Sequence, residues 1–137
     1  MKERLFTALR NNEYEFVKTE LARKSLVEQK ELLLEYSYTF ESIDILGFLD
    51  FLQENGWEEK HILLWRESIL VNALCHIEGA YALGLYCAQK LYQLDANIIN
   101  LKGLLFYNEI PEKLISDEKA QEIMKEILQK DSKTLIQ

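Results

Sequence analysis

The stretch AYALGLYCAQKLYQL, residues 80–94, is the part of this chain whose reading decides the fold. Its one formal charge is Lys90, and it places Ala80, Gly84 and Ala88 in a row, one small residue every fourth position. Such a row lets a neighbouring helix backbone approach closely. Leu83, Leu85, Leu91 and Leu94 surround it, and a helix apolar on nearly all sides is a buried one. Residues 80–94 are therefore expected to form the central, most buried helix of an all-α protein. The wider segment Ser68 to Gln89 contains Glu78 as its only acidic or basic charge, which raises the question of a membrane span. A glutamate beside His76 and Gly79 in the middle of lipid would be costly, so a buried helical hairpin is the better account and no membrane contact is expected.

Toward the N-terminus, Ile62, Trp65, Ile69 and Ala73 keep helical spacing after Glu58 and Glu59, carboxylates suited to the positive end of a helix. This helix is expected to run to about Ile77. Before it, Ile45, Phe48, Leu49 and Leu52 form one stripe and Gly47, Asp50 and Glu54 another, with Thr39 or Ser42 as cap and Asn55-Gly56 as terminator. Leu33, Tyr36 and Phe40 give a core face to the helix that starts near Val27. Leu5 and Leu9, then Tyr14, Val17 and Leu21, flank Asn11-Asn12, which suit the end of one helix and the cap of the next.

Toward the C-terminus, Asp95, Ala96 and Asn97 turn the chain into a helix over roughly 98–107. An irregular stretch over 108–116 contains Pro111, and Ser116 caps a last helix. In that helix Ala120, Ile123, Met124 and Ile127 are expected to face inward. Glu118 and Glu122 lie on its solvated side, as do Glu126 and Lys130, spaced as a favourable helical pair. One proline and five glycines in 137 residues leave little material for the turns of a β protein, and 48% hydrophobic residues suffice for one core. The expectation is a single domain over residues 1–137, with seven or eight helices in stacked antiparallel hairpins.

Residues 84–97 and 120–133 align without gaps at an offset of 36 residues, a period found in solenoids of paired helices. The run from Leu91 to Asn97, LYQLDAN, resembles the close of a tetratricopeptide repeat, with Gly79 at the inter-helix turn, Gly84 and Ala88 at the small core positions and Leu91 at the last. The resemblance spans about Trp65 to Lys133. It departs from the pattern where Ala96 and Ser132 replace the closing proline, Ser68 replaces the early tryptophan, and residues 108–116 insert into the second unit. It implies a non-catalytic scaffold that holds peptides or partner domains in a concave groove.

Charge carries the functional reading. Between Glu28 and Glu59 there are nine acidic residues and one basic residue, Lys30, a balance of −8 against −7 for the whole chain. Nucleic acid is disfavoured as a ligand, because phosphates require clustered Lys and Arg. Glu28, Glu31 and Glu35 repeat on the side of their helix opposite Leu33, with Tyr38 near the same line, and are expected to bind a basic partner protein. Small size and concentrated acidity also match an inhibitor of a basic toxic enzyme, in the manner of bacterial immunity proteins. A tetratricopeptide-type adaptor and an oligomerising structural subunit are the alternatives.

Catalytic arrangements are thin, and the protein is not expected to be an enzyme. Glu58 and His61 form the only ExxH match, where a di-iron bundle needs two with further glutamates. Cys75 and His76 are consecutive, so on a helix they point about 100° apart. Glu78 could serve as a base only if buried with His76; a helix-ending residue reaching water is the simpler reading. No metal or cofactor is expected. Cys75 and Cys87 read as free, buried thiols. The N-terminus lacks the apolar run of a signal peptide, which points to a cytoplasmic protein.

Overall fold

The computed structural model describes the backbone of residues 1–136 and the side chains of residues 1–132. All regular structure among them is helical: α1 (Lys2–Arg10), α2 (Tyr14–Ala22), α3 (Leu26–Phe40), α4 (Asp44–Glu54), α5 (Glu59–Val71), α6 (Ala80–Leu94), α7 (Ile98–Gly103), α8 (Phe106–Glu109) and α9 (Asp117–Ile136). No helix of the described residues is long and apolar enough to cross a membrane.

The apolar stripes of α1 to α5 meet in one core, in which Tyr36, Phe48, Leu52, Ile62 and Ile69 are fully enclosed. The helix at its centre is α5, which packs against α3, α4 and α6. This corrects the expectation for α6. Its small-residue side is buried through Ala80, Gly84, Cys87, Ala88 and Leu91, but Leu83, Tyr86 and Leu94 are exposed. Apolar character all round allows either side of a helix to be buried; packing partners are present only on the side where small residues admit them. Consecutive pairing holds for α1 with α2 and for α5 with α6, whereas α3 packs mainly on α5.

Several boundaries differ from the sequence expectation for local reasons. Helix α5 ends at Val71 rather than near Ile77, with Asn72 as its C-cap residue and the Asn72 side chain donating to the Ser68 carbonyl. Ala73 and Leu74 stay buried in the following turn, so periodicity alone does not reveal the ending. At the α1–α2 turn Asn12 takes a left-handed φ of 60° and Glu13, not Asn12, is the N-cap residue. Gly56 and Gly79 adopt φ of 85° and 87°, ending α4 and opening α6.

The segment expected as one helix over 98–107 splits into α7 and α8. Backbone bonds from Leu104 to Leu101, Leu105 to Lys102, Tyr107 to Leu104 and Asn108 to Leu105 span three residues rather than four. Leu101, Leu104, Tyr107 and Ile110 are all buried, and a repeat of three matches the tighter helical turn. They form a second core with Ala88, Ile115, Ala120, Ile123 and Ile127.

Met124, expected inward, is 54% exposed, because α9 meets its neighbours through Ala120, Ile123 and Ile127 and leaves Met124 at the edge of that stripe. Phe40, expected in the core, is partly exposed at the end of α3 beneath the Arg10 guanidinium. Glu126 and Lys130 reach back toward α6: Tyr92 donates to Glu126 at 2.9 Å and Lys130 donates to the Ala96 carbonyl at 3.2 Å. Of the aligned segments, Gly84 and Ala120 are both buried, as are Leu91 and Ile127, while Ala88 is buried and Met124 is not. The side chain of Lys133, which closes the second segment, lies outside the described residues.

Candidate protein-binding face

Helix α3 begins at a capping box. The Ser25 hydroxyl accepts from the Glu28 backbone N–H at 3.2 Å, and the Glu28 carboxylate accepts from the Ser25 backbone N–H at 3.2 Å and from its hydroxyl at 3.0 Å. These bonds favour the charged form and hold the Glu28 carboxyl below its ordinary range. On the inner side Gln29, Leu33, Tyr36 and Ser37 are buried. Gln29 anchors the helix start by donating to the Leu21 and Lys24 carbonyls.

The four residues singled out from the sequence, Glu28, Glu31, Glu35 and Tyr38, are all exposed on α3. Their situations differ. Glu28 belongs to the cap, Glu35 accepts from Lys2 at 2.7 Å, and Glu31 is in no ion pair among the described residues. Tyr38 is 56% exposed. The sequence reading missed two companions: Val27, 66% exposed, and the half-buried Leu34. Val27, Glu31, Leu34 and Tyr38 follow one another at i, i+4, i+7 and i+11, a seam along one side of a helix and a signal the sequence does carry.

Beyond α3, three of the six acids of this segment are paired with bases from outside it. Arg10 donates to Asp44 at 3.2 Å, Arg66 to Asp50 at 2.7 Å, and Lys90 lies 3.5 Å from Glu59. With Glu35 and Lys2, four of the nine acids thus have basic partners on other helices, and His61 lies 3.6 Å from Glu58. Among the described residues Glu31, Glu41 and Glu54 are the acids of this segment left without an ion pair or side-chain hydrogen bond, and Glu28 is held in the cap.

The residues considered for catalysis are dispersed. His61 stacks near Trp65, His76 and Glu78 are exposed in the turn before α6, and Cys75 is half-buried rather than buried. Cys87 is buried, and desolvation pushes its thiol up to about 11, away from the reactive thiolate. Among the described residues no group of three or more His, Cys, Asp or Glu side chains is placed to hold a metal ion.

Two polar contacts inside the fold were not anticipated. Tyr36 donates to Asp44 at 2.9 Å beside Arg10, and burial is the main cause that pushes the Tyr36 hydroxyl up to about 12. Tyr107 donates to Glu67 at 2.5 Å, and desolvation raises the Glu67 carboxyl while the Tyr107 bond opposes that rise.

The chain matches no protein-family model, and neither curated proteins nor solved structures yield a significant match to it.

Proposed function

We propose that this protein is a non-catalytic binding module that takes a basic segment of a partner protein on the outer face of α3. The observation that carries this reading is the seam Val27, Glu31, Leu34 and Tyr38, in which exposed apolar and aromatic area flanks an acid with no ion pair among the described residues. Tyrosine supplies rigid contact area, and the carboxylates steer a cationic surface toward it. The capping box pre-orders the helix start, so docking costs little conformational entropy there. The narrower form of the proposal is an inhibitor that covers a basic toxic enzyme, a role compatible with a small acidic helical domain. Catalysis is not part of the reading: the Cys87 thiol is buried and its pKa is raised, and His76 stands on the surface.

The structure also refines the test. Reversing Glu28, Glu31 and Glu35 together would remove the Glu28 half of the capping box and set a new lysine against Lys2, so loss of binding could not be separated from damage to α3. Glu31→Lys combined with Tyr38→Ala leaves both contacts in place. Capture of a basic protein from the native cell is expected to be lost with this double variant and kept with Glu118→Lys, a reversal on the exposed side of α9. Association kinetics should show a slower on-rate for Glu31→Lys alone and a weaker dependence on salt. Retention of the same partner by the double variant at low and high salt, or an acidic partner, would overturn the proposal.

A further inference from the structure

A second surface, independent of α3, lies between the α7–α8 segment and α9. It is an open groove of about 520 Å³ lined by Lys102, Leu105, Phe106, Glu109, Met124, Ile127 and Leu128. Met124 and Leu128 are 54% and 66% exposed, one helical turn apart on α9, and Phe106 faces them partly exposed from α8. Exposed apolar side chains gathered in a groove and bordered by charge mark a protein contact rather than a solvated face.

The border residues say which protein fits. Lys102, Leu105, Phe106 and Glu109 all line the groove in chain order, so its α7–α8 wall begins with a cation, continues with two apolar side chains and ends with an anion. Neither Lys102 nor Glu109 has an ion pair or side-chain hydrogen bond among the described residues. We propose that the groove is a homodimer interface in which a second copy of the chain lies across it antiparallel to the first. A two-fold axis passing near Leu105 and Phe106 brings Lys102 of each copy to Glu109 of the other. Both charges of both copies are then paired, while Phe106, Met124 and Leu128 cover one another. The wall is complementary to its own reverse, the property that an isologous interface requires. An apolar peptide in the same groove would leave both charges unpaired at its edges.

Sedimentation of the full chain over a range of concentrations tests this directly. A monomer–dimer equilibrium is expected, with a dissociation constant on the order of 1–100 μM, as for an interface of modest area. Lys102→Glu sets acid against acid and Glu109→Lys sets lysine against lysine, each twice per dimer, so either change should raise the dissociation constant about tenfold or more. The doubly exchanged Lys102→Glu/Glu109→Lys chain regains both pairs and should return to within about threefold of the parent. Met124→Glu should weaken the dimer by about tenfold or more through its apolar centre. Circular dichroism melts near the parent's confirm folding, and if Met124→Glu fails that control the charge exchange decides alone, since both charged side chains are exposed. A parent that remains monomeric up to about 1 mM overturns the proposal. So does a dimer indifferent to either charge reversal, or one weakened by both and not restored by the exchange.

Discussion

Around Phe48 and Tyr36 the molecule packs large aromatic side chains against one another, whereas at Gly84 it brings Val71 and the Tyr107 ring against a helix position that offers no side chain. In the first region Tyr14, Phe48 and Phe51 form one set of ring contacts and Phe6, Tyr36 and Phe40 another. In the second, a Cβ placed on Gly84 would lie 2.7 Å from Val71 Cγ1 and 2.9 Å from Tyr107 Oη. The two regions also settle a buried tyrosine hydroxyl differently. Tyr36 donates to Asp44, which a guanidinium also serves, while Tyr107 donates to Glu67 with no cation in hydrogen-bond or ion-pair contact with that carboxylate among the described residues. The first core is built largely of rings packed on rings; the second is mostly aliphatic and adds one close approach at Gly84 and one hydrogen bond from Tyr107.

The largest effect should come from the aromatic core: Phe48→Ala is expected to cost about 3–5 kcal/mol, because the ring is fully enclosed and packed against Tyr14 and Phe51. Urea unfolding measures it, and a loss below about 1 kcal/mol would show that this core is not the stronger of the two. Gly84→Leu should cost about 3 kcal/mol, the upper end of overpacking, since even its Cβ is too close to Val71 and Tyr107. Gly84→Ala should cost less, because alanine regains up to about 1 kcal/mol of helix propensity. If Gly84→Leu melted with the parent, the close contact at α6 would be absent.

The two tyrosines sharpen the comparison next. Tyr107→Phe deprives a half-buried carboxyl of its donor and should cost about 1–3 kcal/mol, while Tyr36→Phe should cost about 1 kcal/mol or less because Arg10 still serves Asp44. Equal losses in thermal melts would remove the distinction. Glu67 adds a pH signature. Its folded-state pKa is raised, so the folded protein keeps a proton that the unfolded chain has already lost. Its contribution to stability therefore falls as pH rises from the ordinary carboxyl pKa through the folded value. Glu67→Gln keeps an acceptor for Tyr107 and should gain on the parent in melting temperature as pH rises through that window. A difference that stayed constant with pH would contradict the assignment. An effect of similar size is expected at the α3 cap, where Ser25→Ala should cost about 1 kcal/mol by chemical unfolding.

The same contrast explains what could be read in advance. In the first region each helix has one apolar stripe, so Ile45, Phe48, Leu49 and Leu52 declare the buried face of α4, and Asn55-Gly56 declares its end. After Gly79 the pattern is ambiguous. An all-apolar helix does not say which side is covered, and Leu83 and Tyr86 turned out exposed while Ala80 and Gly84 are buried. The division of 98–107 is legible in principle, since Leu101, Leu104, Tyr107 and Ile110 recur every third residue, a spacing that suits tighter turns better than one α-helix. On α3 the acids and Tyr38 were legible as an outward face from the positions of Leu33 and Tyr36 opposite them, whereas the roles of Glu28 and Glu35 depended on Ser25 and on distant Lys2.

By itself the sequence determined the helical class, most of the helix starts and the outward placement of Glu28, Glu31, Glu35 and Tyr38, because hydrophobic periodicity and local capping act over a few residues. Only the tertiary structure decided that α5 rather than α6 is the hub, that Tyr107 reaches Glu67, and that basic residues on other helices pair with four acids of the acidic segment. Those outcomes depend on which surfaces meet across tens of residues, and a contact between distant side chains leaves no period in the chain that makes it.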